Sequence, residues 1–119
     1  MTTDLGALGE FEDGQVRLFR IGRRELGVLR WGDRLVAIRN TCPHAGAPLC
    51  SGVVAPLIEG GVREAATATV ASHPTRLAIS CPWHGWEFDV DTGQALADPK
   101  MRVKTYPLAV VDGRVLIDL

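Results

Sequence analysis

Two short runs, Cys42-Pro43-His44 and Cys81-Pro82-Trp83-His84, each set one thiol beside one imidazole. The chain holds three cysteines and three histidines, and four of those six residues stand in these runs. Donors of that kind act together only if the fold brings two separate loops to one place, so the pair constrains everything around it. Two sulfurs and two nitrogens complete the coordination of one metal ion, as in a structural Cys₂His₂ zinc site. They also divide evenly, with two thiolates on one metal atom and two imidazoles on a second. The donor set alone leaves both open.

Around these runs the chain reads as short strands separated by Gly and Asp-Gly. Gln15 to Ile21 is β-prone, and Glu25 to Trp31 follows Gly22-Arg23-Arg24. Gly32-Asp33 turns the chain into Arg34 to Arg39, which runs up to the first loop. Arg76 to Ser80 leads into the second loop, and Trp86 to Val90 leaves it toward a turn at Asp91-Thr92-Gly93. Val103 to Val111 and Arg114 to Leu119 flank Asp112-Gly113, a strong hairpin signal. No segment carries helical periodicity over 11 or more residues. The expectation is an antiparallel all-β domain spanning residues 1–119.

The residues next to the donors sharpen this. The first loop runs Cys42-Pro43-His44-Ala45-Gly46-Ala47-Pro48-Leu49, and the second Cys81-Pro82-Trp83-His84-Gly85-Trp86-Glu87-Phe88, with Thr92-Gly93 beyond. This resembles the Rieske [2Fe–2S] family at every position of its pattern, C-x-H-x-G-x-x-L followed by C-P-x-H-G-x-x-F and a downstream T-G. Pro and Gly suit the tight bends of such loops, because Pro presets φ and Gly permits positive φ. Sulfurs held there want backbone N–H donors. The chain departs from the family in one place: 36 residues (45 to 80) separate His44 from Cys81, roughly twice the family's usual gap. An insertion over about 53–75, with Gly60-Gly61 and an Ala/Thr run, accounts for the difference. Loop length costs well under about 1 kcal/mol per doubling.

The resemblance implies a Rieske-type antiparallel β-sandwich carrying a small cluster-binding subdomain built from loops 42–49 and 81–88. It implies one [2Fe–2S] cluster, with Cys42 and Cys81 on one iron and His44 and His84 on the outer iron. Imidazole edges facing solvent would pass electrons to a docked partner. High-potential family members carry an extra cysteine in each loop, joined as a disulfide, and a serine bonding a bridging sulfide. Here Trp83 and Trp86 stand at the second loop's positions and Cys50 is the lone spare thiol. The expected potential is therefore at the low end of the Rieske range, about −150 mV.

Rieske-type oxygenases add a mononuclear iron held by two histidines and a carboxylate. Once His44 and His84 are used, only His73 remains, and no G-x-G-x-x-G frame supports a flavin or nicotinamide site. The expectation is a ferredoxin that takes an electron from a reductase and gives it to a terminal oxygenase or another oxidoreductase. It has no catalysis of its own. Alternatives are a tightly bound small subunit of a larger oxidoreductase, such as a nitrite reductase, or a redox-responsive binding module. Pro43, Ala45, Ala47, Pro48, Pro82 and Trp83 are expected to form an apolar docking rim.

Composition narrows the rest. Thirteen basic and fourteen acidic residues, spread evenly, give no basic stripe for nucleic acid. No apolar run approaches a membrane span of about 18 residues. The N-terminus shows neither a positive leader nor a twin-arginine signal, so the expected location is the cytoplasm. There, three cysteines suit metal ligation better than disulfides. Cys50 is expected to be buried and inert, His73 an exposed loop residue, and the acidic start (Asp4, Glu10, Glu12, Asp13) a solvated lead-in.

Overall fold

A computed structural model describes residues 2–56 and 76–119. Among these residues, ten strands form three antiparallel sheets. They are β1 (Thr2–Ala7), β2 (Val16–Ile21), β3 (Arg24–Trp31), β4 (Arg34–Arg39), β5 (Val53–Pro56), β6 (Leu77–Ser80), β7 (Glu87–Asp89), β8 (Thr105–Tyr106), β9 (Leu108–Val111) and β10 (Arg114–Asp118). The sheet orders are β1-β10-β9, β2-β3-β4-β8 and β5-β6-β7. Apart from two short 3₁₀ turns, the described residues contain no helix.

The turns follow from their residues. Gly22 and Gly32, at φ +64° and +61°, each lead a two-residue hairpin loop of the kind that matches strand twist. Asp112 and Gly113 both have positive φ, as a type I′ turn requires, and Val111 pairs with Arg114 across it.

Three expectations are corrected. The acidic start is no mere lead-in: Thr2–Ala7 pairs with β10, Leu5 enters the core, and Asp4 binds Arg114 through two hydrogen bonds of 3.1 Å. The stretch from Val103 to Val111 is two strands, not one. Pro107 interrupts it, so β8 pairs with β4 and β9 pairs with β10 in a different sheet. The inserted stretch expected over about 53–75 begins on a paired strand, β5, with Val53 opposite Ser80. Residues 57–75, with His73, Gly60-Gly61 and the Ala/Thr run, lie outside the described residues.

Two apolar cores result. One, including Leu5, Phe11, Leu26, Val28, Val115 and Ile117, joins the first two sheets. The other gathers Leu49, Cys50, Leu77, Ile79, Phe88 and Val90 with Cys42 and Cys81 at its edge. The second core is the floor under the two loops. Phe88 at 0% exposure anchors it directly after the second loop.

Candidate metal centre

The first loop leaves the end of β4 and the second leaves the end of β6. Both close in the same way. The Cys42 N–H donates to the Ala47 carbonyl at 2.8 Å, and the Gly46 N–H returns to the Cys42 carbonyl at 2.8 Å. The Cys81 N–H donates to the Trp86 carbonyl at 2.7 Å, and the Gly85 N–H returns to the Cys81 carbonyl at 2.9 Å. Each turn needs a left-handed residue four positions after its cysteine, and Gly46 and Gly85 supply it at φ +77° and +71°.

These turns bury the thiols. Cys42 is 1% and Cys81 2% exposed. The two thiols lie within hydrogen-bonding contact of each other. Backbone N–H groups of His44 and Ala45 point at the Cys42 sulfur, and those of Trp83 and His84 at the Cys81 sulfur. The turns therefore aim amide dipoles at atoms that carry negative charge as thiolates. Burial raises the Cys42 thiol above its ordinary value, against the pull of its two amides. Burial also opposes ionisation of Cys81, but the Trp83 and His84 amides and the Cys42 thiol outweigh it and lower Cys81. Of the pair, Cys81 is the first to ionise.

The imidazoles go the other way. His44 and His84 are exposed, and their ring centroids are 5.0 Å apart at an interplanar angle of 88°. Half-buried Trp86 stacks on His44 at 4.9 Å and 26°. Sequence reading missed this contact, because the partners sit on different loops. The four donors thus fall into a buried sulfur pair and an exposed nitrogen pair. Among the described residues no three His, Cys, Asp or Glu side chains are placed to hold a single ion.

Neighbouring residues fix the loops. The Asn40 side-chain oxygen accepts the Cys50 N–H at 2.8 Å, tying the start of the first loop to its far end. Buried Asp89 accepts Arg76 at 3.1 Å and the N–H groups of Asp91 and Thr92 at 2.8 and 3.2 Å, which secures the turn after β7. All three cysteines are free thiols. Cys50 is buried in the core, where the apolar surroundings push its thiol up to about 12.

Pro43, Ala45, Pro48, Pro82 and Trp83 are exposed around the histidines, as expected of a rim. Ala47 is not: it is 0% exposed, because its carbonyl closes the first turn and its methyl faces the core. A groove of about 270 Å³ opens beside His84, lined also by Gly85, Trp86, Glu87, Leu96 and Ala97.

The Rieske [2Fe-2S] domain model matches residues 2–107. The ferredoxin component of the naphthalene 1,2-dioxygenase system of Pseudomonas aeruginosa is 33% identical over 117 residues, 98% of this chain and 93% of that protein. A chain from a solved complex of reduced oxygenase and oxidized ferredoxin in carbazole 1,9a-dioxygenase is 25% identical, with a TM-score of 0.70 over 98% of this chain and 91% of its own. A nitrite reductase small subunit structure from Mycobacterium tuberculosis shares the fold at 21% identity and TM-score 0.75, covering 98% of this chain and 93% of that one. Two thiol-and-imidazole loops on an antiparallel β base, matched over nearly their whole length, place this chain in the Rieske [2Fe–2S] domain family, whose cofactor is one [2Fe–2S] cluster.

Proposed function

We propose that this chain is a one-electron carrier, a Rieske-type ferredoxin, in which Cys42 and Cys81 ligate one iron and His44 and His84 the other. The observation that carries the reading is the division of the donors by burial. The thiols are adjacent, nearly inaccessible and supplied with backbone N–H donors, while the imidazoles are adjacent and exposed. A closed zinc site wants all four donors converging on one point. Two separate pairs fit a two-iron cluster better. When bound, the cluster supplies one reversible electron. The protein's part is to hold the sulfur end dry and to present the nitrogen end at the surface.

Residues 1–119 act as one domain in this reading. An electron comes from a reductase and goes to a terminal oxygenase, with transient docking at the surface around His44 and His84. Interfaces of that kind are small, below about 1,200 Å². The relatives above 30% identity that cover nearly the whole chain are ferredoxin components of oxygenase systems, which favours the carrier over a fixed subunit. Free thiols and a metal site suit the cytoplasm. No helix of the described residues is long and apolar enough to cross a membrane.

The test is reconstitution with a reductase and an oxygenase. Iron and acid-labile sulfide should be present in equal amounts, and the reduced protein should give a rhombic electron paramagnetic resonance signal. His44→Ala or His84→Ala should abolish both the signal and the turnover. Turnover that survives either substitution refutes the carrier role, and a colourless zinc-loaded protein refutes the cluster.

A further inference from the structure

The two imidazoles occupy unequal surroundings. The loops make the same turn, so Ala47 and Trp86 hold equivalent positions, five residues after each cysteine. Trp86 reaches across and stacks on His44. Ala47 is buried and small, and among the described residues no aromatic ring other than His44 contacts His84. The space left beside His84 is the groove of about 270 Å³ whose far wall is Leu96 and Ala97.

That wall comes from outside both loops. The Leu96 N–H donates to the Glu87 carbonyl at 2.9 Å, which sets Leu96 alongside the edge of β7. Leu96 is 41% and Trp83 58% exposed, so two large apolar side chains stand uncovered on the His84 side. The exposed apolar residues of the first loop itself are the smaller Pro43, Ala45 and Pro48. Binding energy concentrates where an anchor side chain fills a pocket and sheds water, not where small residues meet a flat surface. Among the described residues, Glu87 is the one acidic residue lining the groove.

We infer that the electron-accepting oxygenase seats an apolar side chain in the His84 groove, against Leu96, with a basic residue facing Glu87. His84, which lines that groove, is then the electron's exit, rather than His44, which is likewise exposed but stacks on Trp86. The inference rests on the carrier reading and specifies where on that site the acceptor sits. The groove adjoins the proposed cluster face, and its single carboxylate sets the charge its occupant must bring. An opposite charge there steers encounter as well as fixing register.

The experiment uses the cluster-loaded full chain, with the oxygenases of the naphthalene 1,2-dioxygenase and carbazole 1,9a-dioxygenase systems as probe acceptors. Leu96→Asp and Glu87→Lys are compared with Ala45→Glu on the His44 side and with Val110→Asp on distant β9. Visible spectrum and midpoint potential are recorded for each, so that a damaged cluster is recognised. Leu96→Asp should raise the KM for the ferredoxin at least fivefold with kcat at saturation unchanged. Glu87→Lys should raise it at least threefold and flatten its dependence on salt. Ala45→Glu should do less than either, and Val110→Asp should match the parent. If the parent protein couples but Ala45→Glu is the more damaging, or Leu96→Asp has no effect, the groove assignment falls and the carrier stands. If the parent couples to neither oxygenase, the carrier reading fails as an oxygenase partner and the groove assignment falls with it.

Discussion

Gly52 is where the first loop's far end touches the entry to the second, and a single methyl group there tests how the two loops are locked. A Cβ added to Gly52 would sit 1.7 Å from the Ser80 carbonyl oxygen, with the Ser80 carbonyl carbon at 2.9 Å. That is about 1.3 Å short of the 3.0 Å below which real Cβ contacts do not occur. The backbone at Gly52 is extended (φ −77°, ψ 176°), so alanine suffers no torsional penalty and the cost is purely steric. Neither side yields cheaply. Gly52 is held by its N–H bond to the Leu49 carbonyl at 2.9 Å, and Ser80 by its pairing with Val53 and Glu87. Relief requires β5 to part from β6 at the pair next to Cys81. Forced overpacking of this kind costs about 3 kcal/mol. For a domain of this size that is a fall of roughly 10 °C in melting temperature. Gly9→Ala is the matched control, because nothing lies within 4 Å of its Cβ position and it should change stability by less than about 0.5 kcal/mol. Thermal unfolding followed by circular dichroism measures the first effect. The visible absorbance decay under a chelator measures the second, since displacing Ser80 displaces Cys81. If Gly52→Ala melts with Gly9→Ala and keeps its colour as long, the close approach does not lock the loops and the reasoning is wrong.

Three further outcomes are expected. The midpoint potential should lie near the low end of the Rieske range, about −150 mV, because no cysteine is in a disulfide and Trp83 stands where a bridging cysteine would; a value above about +100 mV in protein-film voltammetry contradicts this. Asp89→Ala should cost about 2 kcal/mol in urea unfolding, since it strips the acceptor from Arg76 and from the Asp91 and Thr92 N–H groups at a buried site, while Asp89→Asn should cost less. Cys50 should resist iodoacetamide at pH 8 in the folded protein and react once it is unfolded, as read by mass spectrometry. Its raised value, about 12 against 9.0 for a free thiol, means the neutral thiol's contribution to stability is complete below pH 9. That contribution is lost between pH 9 and about pH 12, and Cys50→Ala should remove that part of the alkaline fall.

Much of this was legible in the chain because local chemistry and global arrangement agree. The hairpins at Gly22, Gly32 and Asp112-Gly113 declare themselves through residues that tolerate positive φ. Val16–Ile21, Arg24–Trp31 and Arg34–Arg39 form a meander with short turns, so their pairing needs no distant information. The first strand was not legible. Thr2–Ala7 has no clear apolar alternation, contains Gly6, and shifts register between Asp4 and Gly6, so its strand character comes only from β10 more than a hundred residues away. Pro107 was visible, but its consequence was not. A missing N–H ends one ladder, and only the tertiary fold decides that the next strand joins another sheet. At the site, the four candidate donors and the turn glycines stand out in the loop motifs. The Trp86 stack, Asn40's bond and the Leu96 wall do not, because each is a contact between segments that spacing does not relate.

The differing spacings, C-x-H and C-x-x-H, conceal a symmetry that accounts for the site's asymmetry. Measured from the cysteine, both turns bond the same pairs of backbone groups and place glycine at the same step. The fold therefore presents two copies of one turn, and chemistry enters only through which side chains occupy its remaining positions. In the first copy histidine comes two residues after cysteine; in the second it comes three after. Side chains one step apart on a tight turn leave it in different directions, consistent with the two rings crossing at 88° rather than lying parallel. The last position of each turn holds alanine in one and tryptophan in the other. A small residue there lets the first turn sink onto the core, while the indole in the second stacks on one face of His44. The same closure that buries both sulfurs thus leaves both imidazoles exposed, one stacked on an indole and the other beside an open groove. A one-electron relay uses the larger difference, between a dry sulfur end that holds charge and an imidazole end exposed to a partner.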